Sequence, residues 1–414
     1  MMTLSLKRFY FFGALLYALL LPFHQQVATF ALGFWLFASF VSFRVYELNK
    51  NWLLFSLPIL FFIYVINSFP LGEVSIKILE HKLSLLAFPI VFFLHRYSKT
   101  ELEKMMRLFV IGLAASSLFC LGIAMYNSLD IQQGVLHFNP SVLSEKDFFD
   151  SIIFGGNYFF GKHLSVFHQT VYFSIYLCIG VVILLFNPQL FGKKSRKSLL
   201  FFLTTMVFLI SNKASFIVLG LIICLRLFTW DLVYWKKILG FFSIIIFMGF
   251  FIYLNPRSKE SIDKIAEGKL TLDSNARYGF STRLLSWDAA LTLIKNQPLS
   301  GYGTTNTQKK LNEVYGQKKY IHPLKESYNA HNQWLQTWLE NGLVGFLVFS
   351  AVFSIIFYLG FISRNNLGLF VGMALVLFVN SMFESIFNRF SGISFFSFIV
   401  CFIFSLSSVN TFEK

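Results

Sequence analysis

Twelve stretches of apolar residues, separated by polar turns and two long polar segments, leave this chain few folds to choose from. They fall near 9–23, 27–43, 52–69, 83–94, 108–126, 168–186, 199–211, 214–228, 238–254, 341–361, 367–383 and 391–408. A helix that crosses a bilayer needs about 20 apolar residues, within a range of about 17–25. Composition agrees, because 56% of the 414 residues are hydrophobic and only 13% are charged, against roughly 25% charged in a soluble domain. A soluble fold of this length has no interior large enough to hide so much apolar surface. The sequence therefore predicts an all-α polytopic membrane protein of about twelve transmembrane helices with a large, partly helical periplasmic loop. The 55 phenylalanines read as lipid-facing and packing material. Cys120, Cys178, Cys224 and Cys401 all lie in apolar runs and read as inert packing residues, with neither disulfide nor metal-ligand spacing.

The net charge of +15 is first a signal of topology. Lys7, Arg8, Arg44, Lys50, Arg96, Lys99, Lys104, Arg107, Lys193, Lys194, Arg196, Lys197, Arg226, Lys236, Lys237 and Arg364 flank the apolar runs. With a cytoplasmic N-terminus all of them fall inside, as the positive-inside rule requires. They form separate short loops and no continuous basic face, which speaks against nucleic acid as a partner. The first span resembles a signal peptide but lacks a small-x-small cleavage site, so it reads as an uncleaved anchor. No internal repeat of the transporter kind is visible. The expected organisation is helices 1–9 over residues 1–254, with a smaller periplasmic loop at 126–166. A large periplasmic loop follows over 255–340, then helices 10–12 over 341–414.

The large loop is too long for a structureless connection, so it is expected to be a folded cap. Its basic residues suggest an anionic partner, although a solvated surface explains them too. Within it, Ser281-Thr-Arg283-Leu-Leu-Ser-Trp287-Asp288 opens a helical pattern with Leu284, Trp287, Leu291 and Ile294 at helical spacing. Pro298-Leu-Ser-Gly301-Tyr-Gly303 then breaks it, and its glycines permit a tight turn or a close backbone approach. Gly156 to His163 is a near miss for a phosphate-binding loop. It ends in His where Ser or Thr is needed and no strand is predicted before it, so it is rejected.

The loop re-enters the membrane through Asn329-Ala-His331-Asn332-Gln-Trp-Leu-Gln-Thr-Trp-Leu-Glu340-Asn-Gly342. His331 is thus a titratable imidazole at a water–lipid boundary, where protons exchange and a lipid-borne substrate can arrive. A lone histidine there caps a helix as readily as it catalyses. Other polar groups gather at the same outer level: Lys82, His168, Tyr172, the turn Ser211-Asn212-Lys213, Glu340, Glu384 and Arg389. Wet helix ends account for any one of them. Lys213 stands out, because its turn is very short and lies inside a long apolar region.

These pieces together resemble the O-antigen ligase and O-antigen polymerase superfamily of bacterial envelope glycosyltransferases. The matching elements are His331-Asn-Gln-Trp-Leu with Glu340 and Gly342, Arg283 with Trp287, Pro298 to Gly303, Ser211-Asn-Lys213-Ala-Ser, and Phe383-Glu384-Ser385. The resemblance implies transfer of a glycan from undecaprenyl diphosphate at the periplasmic face of the inner membrane, without a metal or other cofactor. For a ligase the acceptor is a lipid A-core sugar hydroxyl. By motif, His331 is the general base, and Arg283 and Lys213 are the diphosphate contacts. The family more usually has Arg at the latter position, and Lys lacks the bidentate geometry. Glu340, Asn332, His168 and Tyr172 are supporting candidates. Glu340 equally reads, with Asn341-Gly342, as a helix boundary.

The residue types suit that chemistry independently. Cations aimed at a departing diphosphate can do what a metal does elsewhere, and an imidazole with a reference pKa of about 6.5 suits a base at neutral pH. No Asp-x-Asp pair occurs, nor a cluster with zinc-ligand spacing. A polymerase with similar chemistry is the second reading. A lipid or glycan transporter, which calls for ionisable groups near mid-membrane and related halves, is a distant third.

Overall fold

The computed structural model describes residues 2–44, 48–69, 72–132, 134–143, 148–153, 155–230, 233–254, 273–277 and 279–412. A helix occupies each of the twelve apolar stretches. These are α1 (Met2–Leu20), α2 (Gln25–Val41), α3 (Ser56–Ile66), α5 (Ser84–Leu94), α6 (Lys99–Ser128) and α8 (Thr170–Phe186). They continue with α9 (Lys193–Ile210), α10 (Lys213–Thr229), α11 (Tyr234–Leu254), α15 (Gln333–Ile362), α16 (Leu367–Phe383) and α17 (Phe390–Phe412). Shorter elements lie between them: α4 (Glu73–Lys82), the strands β1 (Leu129–Gln132) and β2 (Val135–Phe138), and α7 (Phe148–Ile153). The expected large loop holds α12 (Gly279–Asn296), α13 (Thr307–Gln317) and α14 (Ile321–Lys325), while the part of that expectation covering 255–272 lies outside the described residues.

Among the described residues, four helices are long and apolar enough to cross a membrane: Lys99–Ser128, Gln333–Ile362, Arg364–Phe383 and Phe390–Val409. Others are shorter. The 11 residues of α3 or α5 rise only about 16 Å, half of a hydrocarbon core of roughly 30 Å. Side-chain placement follows the membrane pattern. Phe30, Phe37, Phe201 and Phe242 point outward and are exposed, while Ser116, Ser174, Ser394 and Ser397 are buried. Ser116 and Ser397 donate their hydroxyls to carbonyls three and four residues back, at 3.1 and 2.8 Å. Small residues that satisfy themselves in this way let helices pack closely where lipid supplies no hydrophobic drive.

The chain divides into two compact units. In the first, which includes residues 97–254, α1 packs on α2 and α6, α8 packs on α9, and α10 packs on α8 and α11. Trp35 is fully buried there and donates its indole N–H to the Tyr97 hydroxyl at 3.1 Å. The second unit takes residues 48–69, 72–96, 273–277, 279–362 and 377–412 from the described chain. In it α3 packs on α15 and α5, and α5 packs on α17.

The second unit also holds the folded part of the large loop. Leu285, Ala289, Ala290, Leu293 and Ile294 of α12 form one apolar core with Leu311, Val314, Tyr315 and Leu339. The helix lies where the sequence pattern predicts it. Of the residues in that pattern, Ile294 is buried, Leu284 and Trp287 are half-buried and Leu291 is exposed. Periodicity weights bulky residues, whereas here two adjacent alanines belong to the buried stripe. Asp288 braces the same core, accepting hydrogen bonds from Lys318 Nζ at 2.6 Å and Tyr320 Oη at 2.7 Å. Partial burial opposes its charge, yet these two bonds hold its carboxyl below the usual carboxylate range.

Candidate active site

The boundary run ahead of α15 is a set of locks. Asn332 precedes the helix and its Oδ1 accepts the Leu335 N–H at 3.1 Å, which satisfies an otherwise orphaned first-turn donor. Gln333 is fully buried; its Oε1 accepts the Phe387 N–H at 2.7 Å and its amide donates to Thr337 Oγ1 at 2.9 Å. Trp334 donates its indole N–H to Ser381 Oγ at 3.0 Å. Gln333 and Trp334 therefore hold the chain on both sides of residue 384. That explains why an amide and an indole follow the histidine.

Between those two anchors, Glu384 meets His331. Its Oε1 lies 3.4 Å from Nδ1, a nitrogen shielded from solvent and given no well-formed hydrogen bond by this geometry. Ordinary N–H···O bonds run about 2.7–3.2 Å, so this is a close charge contact that a small side-chain movement converts into a bond. His331 itself sits in left-handed backbone at φ 45°, a conformation few non-glycine residues adopt outside functional or turn positions. Asn329 Oδ1 accepts its backbone N–H at 2.8 Å, and the Tyr328 ring stands edge-on to the imidazole, with centroids 5.2 Å apart.

Arg283 arrives at the same segment from α12. Its Nε donates to the Phe383 carbonyl at 2.9 Å. One turn on, the Trp287 ring packs at 6.1 Å from Phe383 and 5.7 Å from Phe280. The adjacent residues Phe383 and Glu384 thus tie the candidate anion contact and the candidate base to one short stretch of backbone. The remaining guanidinium donors of Arg283 have no partner among the described residues.

Glu340 is held inside the protein. It is buried, accepts Gln336 Nε2 at 2.6 Å, and lies 3.5 Å from Lys82 Nζ. Lys82 is only 2% exposed and sits 4.2 Å from the centroid of the Tyr64 ring. The wet helix-end account of Lys82 is thereby replaced: its charge is neutralised inside the protein, as burial demands. Gln336 in turn accepts the N–H of Ala330 at 3.1 Å. Glu340 therefore bears on His331 through the backbone just before it, while direct contact with the imidazole falls to Glu384.

The Gly-x-Gly signal, ordinary in isolation, proves to be a close approach of backbones. α15 is opened at Gly342, with φ 61° and ψ −162°. The 298–303 turn docks into this opening: Tyr302 N–H donates to the Leu339 carbonyl at 2.7 Å and Leu343 N–H to the Leu299 carbonyl at 3.1 Å. A β-carbon on Gly301 would collide with the backbone of Leu339 and Gly342, and one on Gly342 with that of Leu299 and Ser300. Asn341-Gly342 thus marks a break between two helical segments, where the sequence reads as a helix boundary.

His168, Tyr172 and Lys213 belong to the first unit. His168 is buried, with its ring 5.0 Å from Tyr176, and Tyr172 is buried too. Lys213 is exposed at the start of α10. Its turn is held by Asn212, whose side chain caps Ala214 N–H at 3.1 Å and donates to Ser174 Oγ of α8 at 2.9 Å. Glu384 is the residue to which sequence reasoning gave no role. Its signals were a carboxylate at the outer boundary between the last two apolar runs and the Phe383-Glu384-Ser385 element of the family resemblance.

The fold and this boundary cluster define a multi-pass helical membrane protein with a polar site at a helix boundary. Residues 198–350 match the family model for O-antigen ligase, which supports a relationship to the O-antigen ligase superfamily. The matched segment contains Lys213, Arg283, His331 and Glu340 and ends before Glu384. No curated protein matches the chain.

Proposed function

We propose that the chain is an O-antigen ligase-type glycosyltransferase acting at the periplasmic face of the inner membrane through twelve crossings, independently of any metal. The donor is a glycan on undecaprenyl diphosphate and the acceptor a lipid A-core sugar hydroxyl. The acceptor oxygen attacks the anomeric carbon and forms the new glycosidic bond. The bond from that carbon to the diphosphate breaks, and its electron pair stays on the diphosphate oxygen. The acceptor proton passes to His331 Nε2. With Nδ1 facing the Glu384 carboxylate, Nε2 is the nitrogen left to accept it. The observation that carries this reading is the shared Phe383-Glu384 segment, which ties Arg283 and His331 to adjacent residues.

A gel of lipopolysaccharide from a deletion strain separates the two family activities. A ligase predicts core bearing no glycan, with long lipid-linked chains accumulating. Core carrying a single repeat unit indicates a polymerase and overturns the ligase reading.

Arg283→Ala removes a cation that can offset charge developing on the diphosphate. Charged hydrogen bonds contribute about 1.5–3 kcal/mol each, so the loss is expected as a ~10–100-fold fall in kcat/KM for the donor. Lys213→Ala tests the residue assigned by motif and is expected to act in the same direction. Donor titrations unchanged in both variants would remove diphosphate binding from these side chains.

A further inference from the structure

The strands β1 and β2 pair antiparallel with Leu129 opposite Phe138, Asp130 opposite His137, and Ile131 opposite Leu136. Directly opposed residues share a face and alternate residues change face. Leu129, Ile131, Leu136 and Phe138 therefore form one apolar face, while Asp130 and His137 lie on the other. The four apolar side chains are between 40% and 72% exposed, although Phe138 also touches the Phe159 ring at 6.2 Å. Leu143 and Phe148, further along the same segment, are exposed as well. A concentrated apolar patch of this kind on a small hairpin calls for a partner.

Its position says which partner. The hairpin leaves α6 with no linker, since Ser128 ends the helix and Leu129 begins the strand. On α6, Ile111, Leu118, Met125 and Tyr126 are exposed apolar residues on one helical stripe, and Leu129, exposed as well, follows directly in the strand. From Arg107, the last basic residue of the helix, to Ser128 the rise is roughly 30 Å, the thickness of a hydrocarbon core. Tyr126 then falls at the interface, where such rings collect. The apolar face of the hairpin begins at the depth where lipid tails give way to headgroups.

We propose that the 129–138 hairpin is a lipid-surface anchor, seated at the acyl–headgroup boundary of the leaflet into which α6 emerges. Leu129, Ile131, Leu136 and Phe138 lie against lipid, and Asp130 and His137 face water. This is the arrangement an amphipathic element takes at a membrane surface. It fixes the 126–166 segment to the bilayer, and it rests on the membrane class of the protein alone, independently of the transferase reading.

The test uses the full chain in liposomes, with its four native cysteines replaced by Ala and one nitroxide label at Ile131→Cys, Leu136→Cys or His137→Cys. Each variant is first shown to elute as one species. Oxygen, which concentrates in lipid, is expected to collide several-fold more with the labels at 131 and 136 than an aqueous nickel complex does. The label at 137 is expected to show the reverse. Equal access of the nickel complex to all three labels overturns the proposal in favour of a solvated loop. Exclusion of both reagents from 131 and 136 overturns it in favour of a protein partner or a second copy.

Discussion

His331→Ala is expected to reduce transfer by ~10²–10⁴-fold, the usual contribution of a positioned general base, or roughly 3–5 kcal/mol of barrier. The protein should still insert, and lipid-linked glycan should accumulate without being attached. Two features of the site sharpen the experiment. His331 has a positive φ, so alanine alone mixes the loss of a base with a change in backbone preference. His331→Asn separates them, because asparagine tolerates the left-handed region yet accepts no proton at neutral pH. Both variants should lose single-turnover rate with donor affinity held, the alanine variant by at least as much as the asparagine one. Transfer at the wild-type rate in the asparagine variant ends the assignment of His331 as base. The conformational contribution is then read from the difference between the two.

The helices were largely legible in the sequence because lipid imposes one simple rule. Every apolar run had to become a helix, and each did. What the sequence concealed is tertiary. His331 and Glu384 are far apart in the chain and meet only because Gln333 binds Phe387 and Trp334 binds Ser381. No local pattern announces such a pair. The burial of Lys82 was hidden for the same reason, since its partner Glu340 comes from a different helix. The buried stripe of α12 includes Ala289 and Ala290, which carry little weight in a hydrophobic pattern. The β1–β2 hairpin has only four residues in each strand, too few for a period-two pattern to stand out from an apolar loop.

Glu384→Gln is expected to lower kcat by ~10²-fold with little change in KM for either substrate. A carboxylate against Nδ1 holds the imidazole in the tautomer that presents Nε2 to the acceptor, and it stabilises the cation formed when the proton arrives. Loss of the equivalent carboxylate costs ~10⁴-fold in a tightly bonded triad. The smaller figure follows from the 3.4 Å separation and partial exposure of this pair. Glu384 is a positioning residue, so its effect must pass through His331. The decisive measurement is the double variant. Once His331 is replaced by Asn, the further change Glu384→Gln should cost almost nothing, because interacting residues are strongly non-additive. Glu384→Asp, which keeps the charge, should recover part of the rate. A purely structural glutamate gives a different pattern: the two losses multiply, aspartate and glutamine behave alike, and the yield of folded protein falls with activity. That pattern would return Glu384 to the scaffold and leave His331 to act without a carboxylate behind it.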